Sequence, residues 1–279
     1  MLSPADEAFV ARHAYVPEHL PGYVAAVSAG EPHLVEGHLC YRAGETLIFI
    51  GYPLGRGCEV ADLARAVSAA VTRFRPRQVA LTAPALPDLT PRCEVRERDA
   101  YFRLDLSTVC VPAKERSLIR RAARELRVTQ ERQLDAAHQG LVAEFLASHQ
   151  VAGDARRIYE RIPAYVAGAG TARLFSARDP AGELVAFAVA DLGGDVYAFY
   201  QFSIRSARRP VPGASDLLLT EVIAAARREG KAYLNLGLGV HAGVTRFKEK
   251  WGAEAFLAYE YGLFRPRRPG LLDALLRLP

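Results

Sequence analysis

The sequence predicts an α+β fold made of two successive halves that share one order of elements. Helix-like and strand-like periodicities are mixed with few strand–helix–strand repeats, which argues against a doubly wound parallel sheet. Two stretches, His33–Pro84 and Ala172–Leu238, each run through strands, a loop, an amphipathic helix and a further strand, as a degenerate tandem duplication would; chance similarity between two α/β halves is the alternative. No low-complexity linker separates them, so they are expected to pack as one compact unit. The boundary falls near residue 110, giving domains 1–110 and 111–279.

In the first half, residues 33–41 and 46–51 read as strands and 52–57 as a loop. Val60, Leu63, Val67, Val71 and Phe74 recur at helical spacing, and Gln78–Thr82 reads as a strand. Tyr101–Leu106 is a further strand, followed by helices over about 112–125, 134–149 and 154–167. Strands at 173–177, 184–190 and 196–202 then lead to a loop holding Pro210, Pro212 and Gly213. The helix 214–228 and the strand 232–236 complete the second stretch. A Gly-rich turn, a helix carrying Phe247-Lys248-Glu249-Lys250 and a strand at 254–264 follow. Residues 271–278 form a terminal helix whose leucines either pack on the domain or touch a membrane surface.

At 279 residues, half of them apolar, the chain is long enough for one large domain or two ordinary ones. No run approaches the roughly 20 apolar residues of a membrane helix. Asp6 and Glu7 stand where a secretory leader would be basic and then apolar, which argues for a cytoplasmic protein. Cys40, Cys58, Cys93 and Cys110 are widely spaced and read as unpaired thiols. The net charge of +5 favours polyanions mildly. Much of it is local: Arg116, Arg120, Arg124 and Arg127 fall on one helical face, opposite Ile119, Ala122, Ala123 and Leu126. That face is either simply solvated or a docking surface for RNA. Nothing points to DNA.

Several chemistries lack their motifs. There is no nucleophile elbow, zinc-protease helix or phosphate-binding Walker loop. His33, His38 and Cys40 alternate as strand residues do, and no metal site is expected from them. The remaining candidates gather in the second half: Tyr197, Tyr200, Gln201, Arg205, Asp216, Asn235, His241, Arg246 and Lys248. Gly237 and Gly239 let a ligand approach the main chain, and the helix after them offers amide groups and lysines to an anionic or carbonyl-bearing substrate.

Four further segments add to this order: Tyr101–Asp105 (YFRLD), Lys114–Ala123 (KERSLIRRAA), the strand end Ser203-Ile204-Arg205, and PGASDLLL ahead of LNLGLG and GVTRFKEKWGAE. In that order and spacing they resemble tandem-GNAT aminoacyltransferases. The similarity is to the soluble catalytic domain of phosphatidylglycerol lysyltransferases and, more distantly, to Fem-type enzymes that build peptidoglycan bridges. Gly51–Arg56 (GYPLGR) resembles the first domain of the same group. The resemblance implies two GNAT-like domains, each a mixed twisted sheet flanked by helices. It also implies transfer of an aminoacyl group to an amine or hydroxyl acceptor, with aminoacyl-tRNA as co-substrate and no bound cofactor. By position it puts Arg205 and Lys248 at the active site, Asp216 at the start of the following helix, and Asn235, Gly237 and Gly239 in the asparagine-glycine turn; these three, with His241 and Arg246 just after the turn, are the candidate substrate-binding residues.

Acyl transfer needs a positioned nucleophile and donors facing the developing oxyanion. Lys248 supplies that charge or is a solvated helix lysine. Arg205 clamps a phosphate or carboxylate, or makes a strand-end ion pair. Asp216 orients an amine or, with Ser215, caps its helix. Tyr200 donates a proton to the leaving group or is core. Two rival readings stand beside the aminoacyltransferase. One is an acyl-CoA-dependent GNAT enzyme, although Arg208–Ala214 is only a loose version of the R/Q-x-x-G-x-G/A diphosphate loop. The other is a non-catalytic RNA- or peptide-binding module.

Overall fold

The computed structural model describes residues 1–55, 60–88, 94–151 and 153–266. The expected helix at 271–278, the end of the loop 52–57, Cys58 and Cys93 lie outside the described residues. In chain order the elements are α1 (Pro4–His13), a 3₁₀ turn (Pro17–His19), α2 (Pro21–Ser28), β1 (Glu31–Val35), β2 (His38–Ala43), β3 (Thr46–Ile50), α3 (Val60–Phe74), β4 (Gln78–Ala83) and β5 (Glu94–Asp105). Then come α4 (Arg116–Glu125), β6 (Arg127–Glu131), α5 (Ala136–Ser148), α6 (Gly153–Glu160), α7 (Ile162–Gly168), β7 (Ala172–Arg178), β8 (Leu184–Asp191) and β9 (Tyr197–Arg205). α8 (Ala214–Arg228), β10 (Tyr233–Leu238), α9 (Ala242–Lys250) and β11 (Glu254–Phe264) follow.

The chain folds into two units. One takes Met1–Asp6, Gly30–Asp99 and the residues from Ala258 onwards; the other takes Glu7–Ala29 and Ala100–Leu257. A division of the chain at 110 describes neither unit, because each borrows a segment that is remote in sequence. In the first unit the strand order is β1-β2-β3-β4-β11, with β3 and β4 parallel and the other neighbours antiparallel. In the second it is β6-β7-β8-β9-β10-β5, with β9 and β10 parallel and the other neighbours antiparallel. Three antiparallel strands, a helix, a parallel strand and an antiparallel closing strand therefore occur in each. The α+β class and the repeated layout of the sequence are both present.

Some elements differ from expectation. The single strand at 33–41 is a hairpin, because Glu36 and Gly37 adopt left-handed angles (φ 49° and 76°) that make a tight two-residue turn. The helix at 154–167 is two helices, with Pro163 starting the second where it can tolerate a missing N–H. The strand β6 and the N-terminal helices escaped notice because β6 is short and α1 and α2 carry almost no amphipathic stripe.

In the first unit α3 buries Leu63, Ala66, Val67 and Ala70 against Leu47, Phe49, Val79 and Leu81 of the sheet. In the second unit both sheet faces are covered. α4 and α8 pack one face through Ile119, Ala122, Leu218, Leu219 and Val222; α5 and α7 pack the other through Leu141, Val142, Leu146 and Ile162. β8 is buried at every position, as a central strand between two helical layers must be. Each fully buried side chain of this size contributes roughly 1.5–3 kcal/mol. Among the described residues no helix is long and apolar enough to cross a membrane.

α5 begins with a strong cap. Asp135 accepts from the His138 N–H at 3.0 Å and from the Arg178 guanidinium at 2.6 Å. Burial works against its charge, but the bonds from His138 and Arg178 prevail and hold its carboxyl below the ordinary value of 3.8. A depressed folded pKa gives stability that is present above the ordinary value and is lost as pH falls. Asp135→Ala should therefore destabilise the protein by about 1–2 kcal/mol at neutral pH. The gap between its melting temperature and that of the native protein should narrow in acid; a gap that does not change with pH would refute the assignment.

Candidate active site

The site grows from one irregularity in the second unit's sheet. β9 and β10 are parallel but pair only over Tyr197–Phe199 with Tyr233–Asn235, and among the described residues no β9–β10 pair lies beyond. Past that point β9 continues to Arg205 and β10 to Leu238, so the strands part and leave a wedge lined by main-chain polar groups. Two bulges shape it. Opposite β8 the register skips Gln201, which turns Tyr200 towards the α8 side and Phe202 towards the α5 side. Opposite β5 the register skips between Asn235 and Leu238, where Gly237 has φ 75°.

Asn235 holds the second bulge. It is fully buried, accepts from the Gly237 N–H at 2.7 Å and donates to the Tyr15 carbonyl at 2.8 Å. A side chain that satisfies both ends of a local turn and a distant carbonyl fixes the backbone more firmly than glycine alone could. After β10, Gly239 donates to the Ala100 carbonyl and its own carbonyl accepts from the His241 N–H and the Thr245 hydroxyl. Val240 beside it is 73% exposed with φ 60°, a costly angle for a β-branched residue.

His241 caps α9, its Nδ1 accepting from the Gly243 N–H at 3.1 Å, and its ring is exposed. Lys248 on α9 is 96% buried (4% exposed). Its ammonium donates to the Leu238 carbonyl at the end of the bulge and lies 5.6 Å from the centre of the Phe102 ring. A side chain added at Gly237 would come within 4.0 Å of that ammonium. The structure thus brings Asn235, Gly237, Gly239, His241 and Lys248 into one group. Lys248 is no solvated helix lysine.

The other expected residues are placed differently. Asp216 neither caps α8 nor faces open space: the cap is Gly213, and one carboxylate oxygen meets the Trp251 indole N–H at 2.8 Å and the Lys250 ammonium at 2.7 Å. It locks the end of α9 to the start of α8, a use that neither sequence alternative foresaw. Tyr200 is buried, and its hydroxyl has no hydrogen-bond partner among the described residues. Burial, with the nearby Asp216 charge, raises its pKa, so the hydroxyl keeps its proton. Arg205 is exposed and has no ion-pair partner among the described residues; it lines a cleft of about 550 Å³ with Glu144, Ser148, His149, Ser203 and Ser215. Lys248 and Asn235 are not in the lining of that cleft. Arg246 is exposed on α9.

The basic face needs two corrections. Arg127 is not on the helix, which ends at Glu125; Leu126 is extended and Arg127 opens β6. Ala123 is exposed rather than part of the apolar stripe. Arg116, Arg120, Arg124 and Arg127 are all exposed, and Arg124, Arg127 and Arg178 line one groove of about 580 Å³.

One buried acid escaped the sequence reading. Glu18, in the 3₁₀ turn, accepts from the Tyr101 hydroxyl at 2.8 Å, and Tyr101 is the cross-strand partner of Leu238. No local pattern marks it: Pro-Glu-His reads as an ordinary turn. Two other clusters have chemistry without access. Asp135, His138 and Ser176 have triad-like contacts (2.6 and 2.8 Å), but His138 and Ser176 are completely buried, so the chain is a strut between α5 and β7. Glu131, Asp135 and His138 lie close enough to hold a metal ion, yet Arg178 sits on both carboxylates at 3.5 and 2.6 Å. Cys40, opposite His33 in the β1–β2 hairpin, is buried and its thiol is pushed up to about 12 by burial.

Residues 113–249 match the model of an acetyltransferase (GNAT) domain. Solved structures share the fold over nearly the whole length. The C-terminal domain of a protein described as a lysylphosphatidylglycerol synthetase from Agrobacterium fabrum superposes with a TM-score of 0.61 at 17% identity, covering 98% of this chain and 95% of that one. L-PGS from Bacillus licheniformis gives 0.55 at 15% identity, covering 95% and 96%. FemX gives 0.61 at 11% identity, covering 93% and 96%. At these identities the likeness is one of fold. None of the functionally curated proteins compared with this chain matches it.

Burial raises the Glu18 carboxyl pKa above its ordinary 4.5, against the smaller opposing effect of the Tyr101 bond. An acid with a raised folded pKa stabilises below the ordinary value, and that stability is lost as pH rises through the folded one. Glu18→Gln keeps an acceptor for Tyr101 and removes the charge. Its melting temperature should gain on the native protein's as pH climbs from 4.5 to neutrality, and parallel curves would show that Glu18 ionises freely in the fold.

Proposed function

We propose that this chain is an aminoacyltransferase that takes an aminoacyl group from the ester of an aminoacyl-tRNA and gives it to an amine or hydroxyl acceptor. The observation that carries the reading is Lys248, a buried ammonium held on the Leu238 carbonyl at the end of β10, the strand that parts from β9. The likeness of fold to a lysylphosphatidylglycerol synthetase domain and to FemX supports the same class. No bound cofactor is needed, and the work belongs in the cytoplasm, where charged tRNA is found.

In this reading the acceptor's nitrogen or oxygen attacks the ester carbonyl. Charge builds on the carbonyl oxygen, and Lys248 stabilises it from a site largely shielded from water. The tetrahedral intermediate collapses by breaking the bond to the ribose oxygen, which takes up the proton of Tyr200, and the proton given up by the acceptor passes to the tyrosinate and restores Tyr200. Asn235, Gly237 and Gly239 hold the main chain in the shape the substrate needs, with His241 and Arg246 at the rim. Arg205 pairs with a donor phosphate bidentately. Asp216 acts at one remove, by keeping α9 and its lysine in place.

The test is deacylation of a pool of charged tRNAs by the purified protein, with a panel of acyl-CoAs alongside. Lys248→Met, which keeps the buried stem, should lower turnover by about 100-fold or more while the protein still melts cooperatively. Turnover of a CoA thioester, with none of charged tRNA, would move the protein to the acetyltransferase-type reading. Full activity in the methionine variant would remove Lys248 from the mechanism.

The arginine face is the proposed tRNA dock. Arg120→Glu with Arg124→Glu should weaken tRNA binding and flatten the dependence of log affinity on log salt, since each phosphate contact contributes about one unit to that slope. An unchanged slope would leave the face as solvated surface.

A further inference from the structure

We infer that Glu144 is a built-in anion that occupies the amide groups of the loop before α8, and so closes that loop to the diphosphate of an acyl-CoA. The inference sharpens the donor class proposed above but stands on different atoms. A loop that presents successive N–H groups at the start of a helix is a general receptor for phosphate groups. The loop between β9 and α8 has that position, and its N–H groups from Ser206 to Arg209 are already engaged.

The Ser206 N–H donates to the Val185 carbonyl at 2.8 Å. The Ala207 and Arg208 N–H groups both donate to Glu144 Oε1, at 2.6 and 3.0 Å. The Arg208 and Arg209 N–H groups reach the buried Ser206 hydroxyl oxygen at 3.2 and 3.1 Å, and that hydroxyl donates to Glu144 Oε1 at 3.3 Å. Pro210 and Pro212 have no N–H to offer. The Ala214 N–H turns back to the Val211 carbonyl at 3.2 Å. Even the Arg209 side chain is answered, lying 3.2 Å from the Glu183 carboxylate and 4.0 Å from Asp179.

Glu144 is not a mobile surface acid that a ligand could brush aside. It comes from α5, whose Leu141, Val142 and Leu146 are buried in the core. An arriving diphosphate would have to break its charge-assisted hydrogen bonds and accept a carboxylate beside its own negative charge. The ester of an aminoacyl-tRNA carries no diphosphate and makes no such demand. Arg205, in the same cleft as Glu144 and without an ion pair among the described residues, remains to meet a single phosphodiester.

The test is calorimetric titration of CoA and of inorganic pyrophosphate into the native protein, Glu144→Ala and Glu144→Gln. The native protein should show no saturable CoA binding. The alanine variant, with two amide groups vacated, should bind pyrophosphate at least about tenfold more tightly than the native protein. The glutamine variant, whose carboxamide oxygen still accepts from both amides, should not gain. Micromolar CoA binding by the native protein would overturn the inference. So would equal gains in both variants, which would reduce the effect to net charge, or no gain in alanine. Glu144→Ser, too short to reach the loop, repeats the test if the alanine variant loses its fold. A native protein that deacylates charged tRNA while the alanine variant gains nothing would sink this inference alone. Silence towards charged tRNA with a responsive alanine variant would sink only the proposed donor.

Discussion

A parallel strand pair that stops pairing after three residues leaves main-chain donors and acceptors in the middle of a protein, and the structure around β9 and β10 answers that deficit. Asn235 takes the Gly237 amide, Lys248 takes the Leu238 carbonyl, and Gly239 is tied to Ala100 and Thr245. These bonds hold the wedge open instead of letting it collapse into ordinary sheet. A site of this kind is robust because each group that shapes it also repairs a fault in the sheet.

The helices around the wedge follow from that requirement. α9 must deliver Lys248 to one carbonyl, so its far end is fastened to α8 through Asp216, Trp251 and Lys250. α8 in turn is buried along most of its length against the sheet and α4. The N-terminal segment closes the other face: Tyr15 accepts from Asn235, and Glu18 accepts from Tyr101. A segment that lies between two pieces of the first unit in sequence thereby packs into the second unit. Glu144 belongs to the same economy, since it satisfies loop amides that the prolines leave without a regular partner.

How far the sequence could be read depended on how local each feature is. α8 and β11 were legible to the residue, because their periodicity and flanking turns lie within the elements themselves. The hairpin at Glu36–Gly37 and the break at Pro163 were legible in principle, through a glycine and a proline whose meaning a broader pattern obscured. The turn around Gly237 was legible as a turn, since a glycine-rich segment between strand and helix is a local signal. Its contents were only half visible. Nothing in the spacing of Asp216 distinguishes a cap from a clamp, and nothing around Arg127 shows that the helix has already ended.

By itself the sequence determined the succession of strands and helices, the repeated layout of the two halves and the position of the glycine-rich turn after β10. Those follow from side-chain periodicity and from the angles glycine and proline allow, which act over a few residues. Tertiary structure alone decided which polar groups meet. Trp251 finds Asp216 across 35 positions, Ala207 finds Glu144 across 63 and Tyr101 finds Glu18 across 83. Partners that far apart are chosen by how the sheet and its helices pack, and no local pattern records that choice.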